Sequence, residues 1–253
     1  MQDTPAALRN IKMIVAYHGA AYHGWQRQAE QFDTIQQRIE RAATAVMKHT
    51  VVVHGAGRTD AGVHATGQVA NFRTPNFSVP MFGLRRAMNS RLPPDIAILS
   101  AEVVADDFHA SLSAVGKTYR YRICSSPVRP VELARQVYHY WRPLDAEAMR
   151  AAATLLVGTH DFLGFATSGE KRENTVRTVF RCEVAEPDGE IVVTVEGDGF
   201  LYNMVRNIVG TLVEIGRGRW APSRITRILE TRDRSDAGPT APPDGLTLVC
   251  VHY

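Results

Sequence analysis

One glycine-rich stretch, residues 54–72, constrains this chain more than any other part of it. Four of its nineteen residues are glycine, compared with 19 glycines in all 253 residues. Such a density is typical of backbone that takes positive φ angles or approaches another segment closely. Between the glycines lie Arg58, Asp60 and His64. A charged side chain on a tight, glycine-flanked loop is well placed to be a catalytic group.

Two nucleotide-binding motifs do not fit this stretch. A dinucleotide fingerprint needs a third glycine where Asp60 stands. A P-loop needs Lys and then Ser or Thr after its last glycine, whereas Val63 and His64 follow Gly62. Two interpretations remain for Arg58 and Asp60. They form either an exposed ion pair on a surface turn, worth about 0–1 kcal/mol, or part of a catalytic loop.

The rest of the chain alternates predicted strands and helices. Short apolar or alternating runs predict strands over residues 11–17, 68–72, 96–104, 117–123, 177–184, 190–196 and 246–252. Apolar residues at helical spacing predict helices over residues 34–48, 80–89, 145–158, 200–215 and 223–231. Residues 159–175 and 232–245 have the composition of loops. We therefore expect two domains, 1–105 with the glycine-rich loop and 106–253, each containing strands and helices.

The predicted helix 200–215 has one apolar face and one polar stripe. The stripe consists of Asn203, Arg206, Asn207, Gly210 and Glu214. Gly210 follows Arg206 by one turn, and we expect it to leave room for the long arginine side chain to reach a neighbour. Arg206 is then either a solvent-facing helix residue or the partner of a carboxylate.

Composition gives a weaker indication of the partner. The net charge of +3 alone says little, but 25 of the 29 basic residues are Arg and four are Lys. Arginine binds phosphate with two parallel hydrogen bonds and stacks on bases, although a genomic bias towards Arg codons explains the same count equally well. Two of these residues, Arg85 and Arg86, are either RNA contacts or part of a solvated helix face.

Cysteine usage and hydropathy bear on location. The three cysteines are scattered without a CxxC motif, which is typical of free thiols in a reducing compartment. Residues 1–12 lack the apolar core of a signal peptide, and no apolar run approaches the ~18 residues of a membrane span. We expect a cytoplasmic protein without a membrane partner. The histidines show no metal-binding spacing, which predicts no metal site.

Residues 57–68, with the sequence Gly-Arg-Thr-Asp-Ala-Gly-Val-His-Ala-Thr-Gly-Gln, resemble the active-site signature of the A family of tRNA pseudouridine synthases. Further blocks resemble that family in order along the chain: residues 17–28, 107–110, 119–121, 160–162, 177–178, 204–210 and 237–242. One departure is His18, which stands where the family usually has an aspartate.

The resemblance implies an α+β fold of two similar domains, each a mostly antiparallel sheet with helices on one face, with an active-site cleft between them. It implies an isomerase that converts uridine to pseudouridine in the anticodon stem-loop of tRNA after flipping the base out. No cofactor and no metal are required, because the reaction involves no redox change and consumes no water. The resemblance also implies a homodimer.

The resemblance assigns roles to particular residues. Asp60 is the nucleophile, attacking either the base or the sugar, and Arg206 is its ionic partner. Arg58 stabilises the displaced nucleotide, and Tyr119 stacks on the target base. Trp25, Gln26, Arg27 and His64 are possible RNA contacts. From the residues alone, Trp25 and Tyr119 are equally well explained as core aromatics, and His64 as a residue that braces the loop.

Two other functions compete with this interpretation. A catalytically silent RNA-binding protein or chaperone would keep the fold without the activity, but an intact Asp60 and Arg206 argue against it. A glycosidase would need a second catalytic carboxylate beside Asp60, and the loop contains none.

Overall fold

The computed structural model describes residues 8–170 and 173–253. The chain divides into two compact units. The first runs to Ala114 and includes Leu248–Tyr253, and the second is Val115–Thr247. The described residues form ten β-strands and five α-helices, so the predicted α+β class is confirmed. The expectation about a signal peptide concerns residues 1–12, of which 1–7 lie outside the described ranges.

The sheet of the first unit is built around β1 (Arg9–Tyr17). The other strands of this unit are β2 (His54–Gly55), β3 (His64–Thr74) and β4 (Ile96–Val104). β1 pairs antiparallel with both β3 and β4, and β2 pairs with β3. Alternate residues of β1 point into the core: Ile11, Met13, Val15 and Tyr17 are at most 4% exposed. The apolar run over residues 11–17 is why the strand was recognisable in the sequence.

Two helices complete the first unit. α1 (Ile35–Met47) begins after Thr34, whose hydroxyl accepts a hydrogen bond from the Gln37 amide. α2 (Met81–Asn89) contacts both α1 and β4. Their buried faces complete the core with Ile35, Ile39, Ala43, Met47, Leu84 and Met88.

The segment after β4 belongs to the first unit. The Asn10 side-chain amide donates hydrogen bonds to the carbonyls of Ala105 (2.9 Å) and Phe108 (2.8 Å). The Tyr253 hydroxyl donates to the Ala110 carbonyl at 2.7 Å. The division therefore falls after Ala114 rather than near residue 105, and the last six residues return to the first unit. Periodicity could not indicate this, because the bonds join residues far apart in the chain.

The sheet of the second unit consists mainly of β5 (Gly116–Ser125), β6 (Tyr138–Tyr140), β7 (Gly158–Asp161), β8 (Val176–Ala185) and β9 (Glu190–Gly197). β9 pairs antiparallel with β5 and β8, β7 pairs with β8, and β6 runs parallel to β5. β8 and β9 form a hairpin. The prediction of loop over residues 159–175 is wrong at its start, where residues 159–161 belong to β7. A strand of four residues is too short to show a pattern in the sequence, and its extended conformation depends on pairing with β8.

The helices of the second unit are α3 (Ala146–Thr154), α4 (Met204–Gly216) and α5 (Arg224–Thr231). α4 starts four residues later than the predicted 200–215, because Asn203 has a φ of 60° and ends the preceding turn. The predicted polar stripe of α4 is not a solvated face, since Asn207, Gly210 and Glu214 are buried.

The final strand, β10 (Leu246–His252), lies beside β3. No helix within the described residues is long and apolar enough to cross a membrane.

Candidate active site

Asp60 occupies the first position of a tight turn in the first unit. The Val63 amide donates to the Asp60 carbonyl at 3.1 Å, and Gly62 has a φ of 84°. A type II turn requires a positive φ at its third residue, which only glycine adopts freely. The sequence Asp-Ala-Gly-Val therefore bends the chain immediately after Asp60, and the glycine density is confirmed as a sign of unusual backbone.

A buried polar cluster fixes the residues before this turn. The Tyr17 hydroxyl and the Thr59 hydroxyl are 2.8 Å apart, and the Gln68 side-chain amide donates to the Gly57 carbonyl at 2.9 Å. Burial raises the pKa of Tyr17 to about 12, while hydrogen bonds with Thr59 and Gln68 act in the opposite direction. The Tyr17 phenol is thus neutral at physiological pH. Through Tyr17 and Gln68, β1 and β3 both hold the loop that carries Asp60.

Trp25 supports the same loop from within the core. Its backbone amide donates to the Thr59 carbonyl at 3.0 Å, and its ring is 2% exposed. The ring lies so close to Gly55 that a Cβ there would be 2.5 Å from the indole. This burial supports the alternative in which Trp25 is a core aromatic.

His64 also contacts the loop region and is buried. Its Nδ1 accepts a hydrogen bond from the Gly19 amide at 3.1 Å, so the ring nitrogen facing Gly19 carries no proton. The ring of His18 packs against it with a centroid distance of 4.4 Å. The residue that replaces the expected aspartate therefore contacts the signature loop directly.

The two residues that follow Trp25 in the sequence, Gln26 and Arg27, have different surroundings. The Arg27 backbone amide donates to the Gln36 side chain at 2.8 Å, and its guanidinium pairs with Glu40 at 3.1 Å. Glu40 is nearly buried, with 7% of its side chain exposed, so Arg27 supplies a counter-charge to a desolvated carboxylate. Gln26 is half-buried.

Arg58 and Tyr119 lie in different surroundings. The Arg58 side chain is exposed and, within the described residues, makes no hydrogen bond or ion pair. Tyr119, on β5 of the second unit, is 8% exposed, and its ring stands nearly perpendicular to that of Phe200 with a centroid distance of 5.1 Å.

In the second unit, Arg206 is held in the first turns of α4. Its Nε donates to the Ala241 carbonyl at 2.7 Å, and its Nη1 donates to Asn203 Oδ1 at 2.9 Å. The Ala241 amide donates back to the Arg206 carbonyl at 3.1 Å. Gly210 does not leave room for the Arg206 side chain, as the sequence analysis expected it to do. A Cβ on Gly210 would lie 1.7 Å from the Pro239 carbonyl oxygen, so its small size admits the 237–242 segment instead.

Comparison with known proteins indicates the family of this chain. A model of a family described as tRNA pseudouridine synthase matches residues 13–111 and 152–253. The tRNA pseudouridine synthase A of Acetivibrio thermocellus is 46% identical over 246 residues, which cover 97% of this chain and 100% of that protein. The chain belongs to the tRNA pseudouridine synthase family. Its members are isomerases, since pseudouridine is an isomer of uridine.

Other members are about as similar. The tRNA pseudouridine synthase A 2 of Clostridium perfringens is 43% identical over 246 residues, covering 97% of this chain and 100% of that protein. The enzyme of Syntrophotalea carbinolica is 46% identical over 243 residues, covering 96% of each chain.

Sequence reasoning missed several residues that build this candidate site. Tyr17 and Gln68 lay in strands and in family-like blocks but had no role assigned to them, and Asn203 was visible only as a member of a helix stripe. The one available signal for Asn203 was its type, because Asn tolerates a positive φ better than most residues. Within 8–170 and 173–253, no group of three or more His, Cys, Asp or Glu side chains is placed to bind a metal ion.

Proposed function

We propose that this protein converts uridine to pseudouridine in the anticodon stem-loop of tRNA, with Asp60 as the nucleophile. The observation that carries the proposal is the construction of the Asp60 turn. The residue before Asp60 is fixed by Tyr17 and by the Trp25 amide, and the residue two positions after it is the glycine that the turn requires. A carboxylate on so well-supported a loop is held in one place, as a nucleophile must be.

The reaction rearranges bonds within one nucleotide. The bond between ribose C1′ and uracil N1 breaks, the base turns, and a new bond forms between C1′ and C5. The proton at C5 is lost and N1 gains one, so the product has the same atoms as the substrate. Because nothing is oxidised or reduced, the proposed reaction uses no cofactor. Asp60 adds to the base or to the sugar, or stabilises the positive charge that develops when the C1′–N1 bond breaks.

The remaining roles follow the family resemblance. Arg206 is proposed as the cation that keeps the Asp60 carboxylate ionised when RNA excludes water, since an opposite charge favours the ionised form. Arg58, which is exposed, is proposed to stabilise the nucleotide displaced from the stem-loop. Tyr119 is proposed to offer the face of its ring to the flipped base. The active form is proposed to be a homodimer.

The decisive experiment is tritium release from tRNA labelled at C5 of uracil. The wild-type protein should release label, and Asp60→Asn should release none while binding tRNA with unchanged affinity. Asp106→Asn is the matched control, because Asp106 is an exposed aspartate outside the signature loop, and this variant should retain wild-type turnover.

Each alternative outcome has a clear meaning. Turnover by Asp60→Asn would refute the role of Asp60. Binding of tRNA by the wild type without any release of label would favour the catalytically silent RNA-binding protein.

A further inference from the structure

Asn203 adopts a backbone conformation that asparagine tolerates but does not prefer. It directly precedes α4 with φ 60° and ψ 6°, in the left-handed region. A non-glycine residue there is uncommon and is worth examining for a function. Glycine would adopt this conformation without strain, so the contacts of the asparagine side chain are what distinguish this residue from glycine.

The side chain of Asn203 does not cap the helix that follows it. Asparagine is among the best residues for N-capping, and in this chain Thr34 and Asp145 cap α1 and α3. The Asn203 side chain makes no such bond to α4. Its Oδ1 instead accepts from Arg206 Nη1 at 2.9 Å, and its Nδ2 donates to the Thr167 hydroxyl at 3.0 Å.

These contacts orient the guanidinium of Arg206. The bond from Nε to the Ala241 carbonyl fixes one N–H group, and the bond from Nη1 to Asn203 fixes another. Because the guanidinium is planar and its N–H groups form a rigid fork, two fixed donors define both the plane and the direction of the remaining ones. Thr167 in turn holds the amide of Asn203, so the acceptor cannot rotate away freely.

The other acceptor of Arg206, the Ala241 carbonyl, is also held in place by hydrogen bonds nearby. Asn207 Oδ1 accepts from the Thr240 hydroxyl at 2.6 Å, and the Gly238 amide donates to the Thr211 hydroxyl at 2.9 Å. These bonds dock the 237–242 segment on α4 and place the Ala241 carbonyl. Asn203 and Ala241 therefore hold Arg206 from two independent parts of the chain.

We propose that Asn203 is a positioning residue, which sets the direction of the Arg206 guanidinium for the isomerisation. The inference rests on the proposed function, in which Arg206 is the cation of the reaction. Asn203 itself is not expected to touch the substrate. Its loss should therefore lower kcat, because a charge that must be reoriented during the reaction stabilises the transition state less well.

The test compares Asn203→Gly with the wild type on full-length tRNA. Glycine keeps the left-handed backbone and removes only the side chain, so the melting temperature should not fall. We expect kcat to drop about ten-fold, with KM for tRNA within about two-fold, in line with the sensitivity of rates to small misplacements. Asn203→Asp keeps an oxygen acceptor for Arg206 and should restore most of kcat.

Two further variants separate positioning from a structural effect. Lys48→Gly removes the side chain of a different left-handed residue, which is exposed and has φ 63°, and should keep the wild-type kcat. In an Arg206→Lys background, Asn203→Gly should have little additional effect, because the donor that it orients is gone.

The outcomes distinguish this inference from the proposed function. A wild-type protein that forms no pseudouridine would refute the proposed function itself. An active wild type with an unchanged kcat in Asn203→Gly, or additive losses in the double variant, would refute only the positioning role.

Discussion

Tyr17 and Thr59 are joined by a buried hydrogen bond of 2.8 Å between their hydroxyl groups. Tyr17 ends β1, and Thr59 directly precedes Asp60. The bond therefore connects the central strand of the first unit to the residue next to the proposed nucleophile. Because Thr59 is 6% exposed, water cannot easily replace the phenol as its partner.

Tyr17→Phe should lower both stability and turnover. Removing the Tyr17 hydroxyl leaves the buried Thr59 hydroxyl without this partner, which costs about 1–3 kcal/mol in the free energy of unfolding. It also loosens the loop, so kcat should fall. Urea denaturation and tritium release measure the two effects. Tyr253→Phe is the matched control, since its hydroxyl binds the Ala110 carbonyl instead. It should lose stability but keep kcat, and an equal loss of kcat in both variants would contradict the role of Tyr17.

Gly210→Ala should disrupt the second unit where α4 meets the 237–242 segment. The added methyl would lie 1.7 Å from the Pro239 carbonyl oxygen, and overpacking of this kind costs about 1–3 kcal/mol or more. Because the Ala241 carbonyl would shift with the segment, kcat should fall as well. Chemical denaturation and single-turnover kinetics measure both quantities.

The control for Gly210→Ala is Gly83→Ala in α2. Its added methyl would approach nothing closer than Pro80 Cγ at 3.9 Å, so helix propensity should stabilise this variant by about 0.5–1 kcal/mol. Equal stability of the two variants would show that the 237–242 segment does not pack on α4 as described.

The stability of the protein should fall at alkaline pH partly because of Cys182. Burial raises the pKa of its thiol from an ordinary value near 9 to about 12. Between these values the unfolded chain loses the proton and the folded chain keeps it, so the free energy of unfolding decreases as pH rises. The slope is at most about 1.4 kcal/mol per pH unit. Cys182→Ala should show a shallower decrease in urea denaturation between pH 9 and 11, and identical slopes would contradict the burial of the thiol.

The affinity for tRNA should depend on the arginines of α2. Residues 75–94 contain three arginines and no carboxylate, and Arg85 and Arg86 are exposed one turn after Phe82, which is 93% exposed. If the two arginines bind phosphates, their replacement by Ala should reduce the slope of log affinity against log salt by about 0.7–0.9 for each phosphate that is no longer neutralised.

Arg41→Ala serves as the control in this experiment, because Arg41 is an exposed arginine on α1. It should leave the salt dependence of binding unchanged. A double Arg85, Arg86 variant with the wild-type slope would identify those two residues as a solvated helix face.

The sequence by itself determined the local structure and the family of this protein. Alternation along β1 and β5, the Thr34 cap of α1 and the Asp60 turn are all encoded within a few neighbouring residues. The signature at residues 57–68 is equally local, so its resemblance to the pseudouridine synthases needed no structure.

Only the tertiary structure decided what holds the site residues in place. Tyr17 and Thr59 are 42 positions apart, and Arg206 and Ala241 are 35 apart. The small size of Gly210 is explained by the 237–242 segment, which is remote in sequence and packs against it. The burial of Trp25 likewise depends on the packing of its ring on Gly55. Hydrogen bonds and close approaches between distant residues leave no periodic pattern along the chain. For that reason the sequence could indicate the chemical groups but not the residues that orient them.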